Sequence, residues 1–156
     1  MKFFASQGEL ERELLFFIAS HKRRLGLVSL EAPLISNLSV WGNIALIRQY
    51  HEQMPRHQAK TYAEILLRRL GMASIAEKRN PALSSEERFC AMVLRAAMVR
   101  DAVLVLDRPF PILAGHPDGR FIKDTLQKLD DLVAEAHIFD YTWEKERYGS
   151  GMNAEG

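Results

Sequence analysis

Asp107 closes an unbroken apolar run, Ala102-Val103-Leu104-Val105-Leu106, and Arg108 and Pro109 follow it directly. A short apolar run of this kind fits a strand buried on both faces of a parallel sheet. Open α/β sheets bind their ligands just beyond the carboxyl ends of such strands. A carboxylate there can ligate a magnesium-bound water, or it can cap the turn and pair with its neighbour Arg108. The second arrangement is the commoner one for a strand-end Asp. Arg108 itself stays protonated near neutral pH, so it cannot act as a general base.

Upstream of that strand, Ser84 and Glu87 stand three residues apart and form a Ser-x-x-Glu capping box. A helix N-terminus favours anions in principle, and Ser85 is small enough to allow close approach. Glu86 and Glu87 add negative charge at the same place, and their plainer role is to stabilise the first turn. Other reactive side chains form no constellation. His51 and His57 are separated by Pro55 without a partner at metal-ligand spacing. Cys90 falls within the helix that Ser84 starts, where a buried structural thiol is expected rather than a nucleophile. Trp41 and Trp143 read as packing or interface residues.

These residues need elements to hold them. Leu10, Leu14, Phe17 and Ile18 give residues 8–22 one apolar helical face. Gly26 breaks that pattern, and Leu25 to Leu30 can make a short strand. Glu31 to Asn37 is loop-like around Pro33. Ser39 can cap a helix that runs to about Gln53, and Pro55 ends it. Tyr62, Ile65, Leu66 and Leu70 mark a further helix over 58–70. Phe89, Met92, Val93, Ala96 and Ala97 put the helix after Ser84 against the core. Past the loop 111–119, Ile122, Thr125, Leu126, Leu129, Leu132 and Val133 predict one amphipathic helix, and His137 to Tyr141 a last strand.

The 156 residues suffice for one domain with a real core, and 47% of them are apolar. A net charge of +1 offers no basic field for nucleic acid. One cysteine excludes an intrachain disulfide framework and fits a reducing compartment. No stretch is long and apolar enough to cross a bilayer. Acidic residues precede the apolar run near the start, where a signal peptide would carry positive charge. A cytoplasmic location is expected, with membrane association only through a partner.

Order and spacing over roughly residues 22–110 resemble the ATP-binding cassette (ABC) ATPases. Leu83-Ser84-Ser85-Glu86-Glu87 stands for the family's Leu-Ser-Gly-Gly-Gln signature, and Leu104-Val105-Leu106-Asp107-Arg108-Pro109 for its Walker B strand and Asp-Glu-Pro. Arg23 to Leu30 is similar to the stretch leading into the Q-loop, with Leu30 in the glutamine's place. Leu38 to Ile44 is similar to the family's Leu-Thr-Val-x-Glu-Asn-Val. Asp118 is what remains of the D-loop, and Asp140-Tyr141-Thr142 stands where the switch histidine would fall. The resemblance implies an α/β fold: a partial P-loop NTPase domain over residues 1–149, with a few-stranded, largely parallel sheet. It implies a helical subdomain at about 38–80, followed by a disordered tail at 150–156.

It also implies that Walker A lies upstream of the Q-loop, outside this chain. No lysine here follows a glycine, so no Gly-x-x-x-x-Gly-Lys-Ser/Thr cradle is present. Ser84, Ser85 and Asp107 are then vestigial nucleotide-binding positions, Asp107 with a possible magnesium role. Arg108 replaces the catalytic glutamate. Leu34, Ile35 and Trp41 fall where a membrane subunit docks in the family. Missing elements around the P-loop would leave sheet surface uncovered, so a homodimer or an obligate partner is expected. The leading expectation is a catalytically inactive ABC ATPase-like protein without a cofactor, in contact with a permease or an intact ATPase subunit. Two alternatives stand beside it: an ATP-binding subunit that holds ATP and magnesium weakly with a partner chain, and a small α/β interaction protein unrelated to transport.

Overall fold

The computed structural model describes residues 1–149, and the tail expected to be disordered lies outside the described residues. Four strands, β1 (Lys2–Phe4), β2 (Leu25–Val28), β3 (Ala102–Asp107) and β4 (Val133–Tyr141), form one parallel sheet in the order β1-β4-β3-β2. All pairings are parallel, so every strand ends on the same edge. Val28 lies opposite Leu106, Asp107 opposite Phe139, and Phe4 opposite Tyr141.

The described residues also form six helices: α1 (Gln7–Ser20), α2 (Val40–His51), α3 (Arg56–Arg69), α4 (Ser85–Ala97), α5 (Arg120–Gln127) and α6 (Lys145–Tyr148). The alternation of β3 sorts the two faces. Leu104 and Leu106 join the main core with Phe89, Met92 and Val93 of α4, while Val103 and Val105 pack with Leu10, Leu14 and Phe17 of α1. All six residues of β3 are buried, as its unbroken apolar run predicts. Gly26 is required where β2 meets α4, because a Cβ there would fall 2.3 Å from the Ala96 carbonyl oxygen. The helices α2 and α3 share the main core with α4.

Two expectations are corrected, and one strand was not expected at all. The strand β1 is absent from the sequence reading, since three residues are too few to show alternation. With α1 it covers the second face of the sheet, so the apolar surface expected to lie open there is closed. The helix expected through Val133 stops at Gln127, and Val133 instead opens a nine-residue strand. Leu129 and Leu132 keep helical spacing within the turn that follows α5, so periodicity alone extends the helix too far.

Candidate functional site

A cleft of ≈ 320 Å³ opens at the carboxyl edge of the sheet, lined among others by Gln7, Glu11, Ser29, Asp107, Arg108 and Tyr141. It gathers the start of α1 with the ends of β2, β3 and β4, where open α/β sheets place ligands. Asp107 is buried and fully engaged. Ser29 Oγ donates to its Oδ2 at 2.7 Å, and Arg108 Nε donates to its Oδ1 at 2.7 Å. Arg108 Nη2 adds a third bond to Oδ2 at 3.3 Å. Neighbours in a strand point to opposite faces. The two side chains meet because Arg108 leaves the strand in the left-handed region, at φ 45°. Such a conformation costs a non-glycine residue about 1–2 kcal/mol.

The other end of the guanidinium reaches across the cleft. Arg108 Nη1 donates to the Tyr141 hydroxyl at 3.0 Å and approaches Glu11 Oε1 at 3.5 Å. Tyr141 in turn stacks on the exposed ring of Trp143 at a centroid distance of 4.3 Å. The bonds to Asp107 and Tyr141 push the Arg108 pKa above its ordinary value, against the opposing effect of burial. The guanidinium is therefore a permanent cation.

No family model matches the chain. Over 106 residues it is 32% identical to the molybdenum import ATP-binding protein ModC of Pseudomonas syringae pv. tomato, covering 68% of this chain and 28% of that protein. Over 133 residues it is 31% identical to the phosphonates import ATP-binding protein PhnC 1 of Ruegeria sp., covering 78% of this chain and 48% of that protein. Its fold matches the ATP-binding cassette MJ0796, solved as a dimer in a post-hydrolysis state with ADP and Pi, at a TM-score of 0.58 and 19% identity. That match spans 85% of this chain and 56% of the other. The chain is a homologue of the ABC ATP-binding subunits. It spans less than half the length of these curated relatives.

An ABC ATPase holds its nucleotide by a strand–loop–helix whose glycines and lysine cradle the phosphates. In this chain the strand–turn–helix β1–α1 comes immediately before β2, and Gln7 and Glu11 of α1 line the cleft. The turn between β1 and α1 is only Ala5 and Ser6, and Ser6 is spent on capping α1, accepting from the Glu9 amide at 3.3 Å. Among the described residues that line the cleft there is no glycine and no lysine. Three carboxylates, Glu11, Glu31 and Asp107, line it against the single cation Arg108. These residues do not fit a magnesium nucleotide.

The remaining predicted positions are scattered. Ser84 and Ser85 do not line this cleft. Ser84 caps α4 in a complete capping box, and Ser85 Oγ reaches the Ala114 carbonyl at 3.5 Å. Trp41 and Leu34 are buried in the core, while Ile35 is 42% exposed. Arg56 and Lys60 cover the Trp41 ring at 5.2 and 5.7 Å. Asn43 pins the intervening loop, accepting from the Ile35 amide at 2.8 Å and donating to the Ser39 carbonyl at 3.0 Å. Burial pushes the Cys90 thiol up to about 12, so it stays protonated. Among the described residues no three metal-ligating side chains cluster, and no helix is long and apolar enough to cross a membrane.

The sequence reading missed Ser29, Glu11 and Tyr141. Each touches the Asp107–Arg108 pair through a chain reversal that has no local signature. One signal was available for the end of β4: the resemblance puts Asp140-Tyr141-Thr142 where the family's switch histidine would fall.

Proposed function

We propose that this chain is a non-hydrolytic ABC ATPase-like subunit, a partner or regulatory component of an ABC-type complex. The observation that carries the reading is the engagement of Asp107 by Arg108, which stands in the place the resemblance gives to the catalytic glutamate, in a chain where no lysine follows a glycine. The relatives are named for molybdenum and phosphonate import. What carries over is contact with a permease or an intact ATPase subunit, and through them a position at the inner face of a membrane. Phosphate release from ATP by the purified chain, with and without magnesium, should stay at background. Arg108→Glu should not raise it, because the cradle would still be missing. Turnover that Asp107→Ala abolishes overturns the reading.

The docking surface we propose is the loop that Leu34 and Trp41 support from beneath. Ile35 and Leu30 are exposed on it, and Leu46 is exposed one helical turn beyond Asn43, which binds Ile35. Isolated exposed apolar side chains are ordinary, but two on one pinned loop with a third on the helix that follows suit a partner. Ile35→Asp with Leu46→Asp should abolish co-purification with a permease or ATPase subunit while leaving the melting temperature near that of the wild type. Retained co-purification moves the contact elsewhere.

A second reading keeps weak nucleotide binding at Ser84 and Ser85, completed by another subunit. The N-terminus of α4 favours it in principle. The Glu87 carboxylate already accepts from the Ser84 amide at 2.9 Å and competes with any phosphate there. Glu87-independent ATP binding in the presence of an intact ATPase partner is the outcome that would favour this reading.

A further inference from the structure

The cleft is more than a site that has lost its cradle, because its carboxylate already holds a cation. Asp107 accepts bonds from Arg108 Nε and Nη2 and from Ser29 Oγ, at 2.7, 3.3 and 2.7 Å. Arg108 Nη1 continues to Tyr141 and Glu11. One guanidinium thus joins the end of β3 to the end of β4 and to α1, and through Ser29 to the end of β2. A divalent ion in such a cleft would draw on the same carboxylates and tie the same strand ends together.

We propose that the Arg108 guanidinium takes the place of a divalent cation in this site. It balances Asp107 and Glu11 permanently and bars metal from the cleft. This deepens the non-hydrolytic reading and rests on it. Two features of the geometry support the assignment. The planar fork matches a carboxylate through two parallel bonds, which a lysine could not reproduce. The left-handed backbone at residue 108 serves to turn that fork onto Asp107.

Arg108→Gly is the informative variant, because glycine adopts the local backbone without penalty while the cation is lost. Manganese alone is the probe, followed by calorimetry on the full chain. The wild type should bind it no better than Asp107→Asn does. Arg108→Gly should bind it at least about tenfold more tightly, and the Asp107→Asn, Arg108→Gly double variant should lose the gain. Asp107-dependent manganese binding by the wild type overturns the proposal. So does a folded Arg108→Gly chain that binds no more tightly than the wild type. If Arg108→Gly does not fold by itself, recovery of its far-ultraviolet dichroism on adding manganese supports the proposal, and failure to recover overturns it. None of these failures touches the non-hydrolytic reading, which falls only if the wild type releases phosphate from ATP.

Discussion

Ser29 Oγ donates to Asp107 Oδ2 over 2.7 Å and so joins two strand ends that are 78 residues apart in the chain. Both groups are buried, at 1% and 4% exposure, so the bond is shielded from water. It fixes the exit of β2 to the exit of β3, and Arg108 fixes the same carboxylate to β4. The edge of the sheet where a nucleotide would bind in an ABC ATPase is thereby tied together by the protein's own side chains.

Removing the Ser29 hydroxyl leaves a buried charged acceptor one donor short. Ser29→Ala should cost about 1.5–3 kcal/mol in urea unfolding. Asp107→Ala should cost more, about 3–5 kcal/mol, because it strands the half-buried Arg108 cation. In the Asp107→Ala background the Ser29→Ala cost should fall by more than half. Additive costs would show that the hydroxyl stabilises the fold through some other contact.

Leu106 is fully buried on the α4 face of β3, and Val103 is fully buried on the α1 face. Leu106→Ala should lower the unfolding free energy by about 2–5 kcal/mol. For a domain of this size that is a large part of the total. A loss below about 1 kcal/mol would mean that the strand is not the centre of the sheet.

His137 on β4 has a buried Nε2 without a hydrogen-bond partner, and the nearest carboxylate, Glu135, is 3.8 Å away. Burial lowers its pKa below the ordinary 6.5, Glu135 opposes this, and Lys2, the N-terminus and His21 add to it. The folded state therefore holds the proton less well than the unfolded chain. The associated stability is complete above 6.5 and is lost as pH falls from there through the folded value. The melting temperature should drop between about pH 7 and about pH 5, and His137→Gln should flatten that slope. An unchanged slope would place the acid sensitivity elsewhere.

The α/β class, the buried β3 strand, the Ser84 capping box and the amphipathic faces of α1 and α4 were all legible in the chain, because each rests on local spacing. The lengths of α5 and β4 were not, since the turn at 128–132 carries apolar residues at helical intervals. The strand β1 was also hidden, since three residues are too few to show alternation. Leu34 read as part of an apolar docking loop and Trp41 as nearly as suited to the core as to an interface, and only packing decided that both are buried.

By itself the sequence determined which residues could carry chemistry and which could not. Asp107 ends a strand, Arg108 cannot take a proton, and no lysine follows a glycine. These are properties of residue type and local order. Tertiary structure alone decided what those residues do. Parallel pairing brought the ends of β2, β3 and β4 to one edge, and the left-handed turn at Arg108 folded its charge back onto Asp107. The partners Ser29, Glu11 and Tyr141 come from distant parts of the chain. Hydrogen bonds act only over a few ångströms, so the closure of this cleft became visible only when the sheet had set those distances.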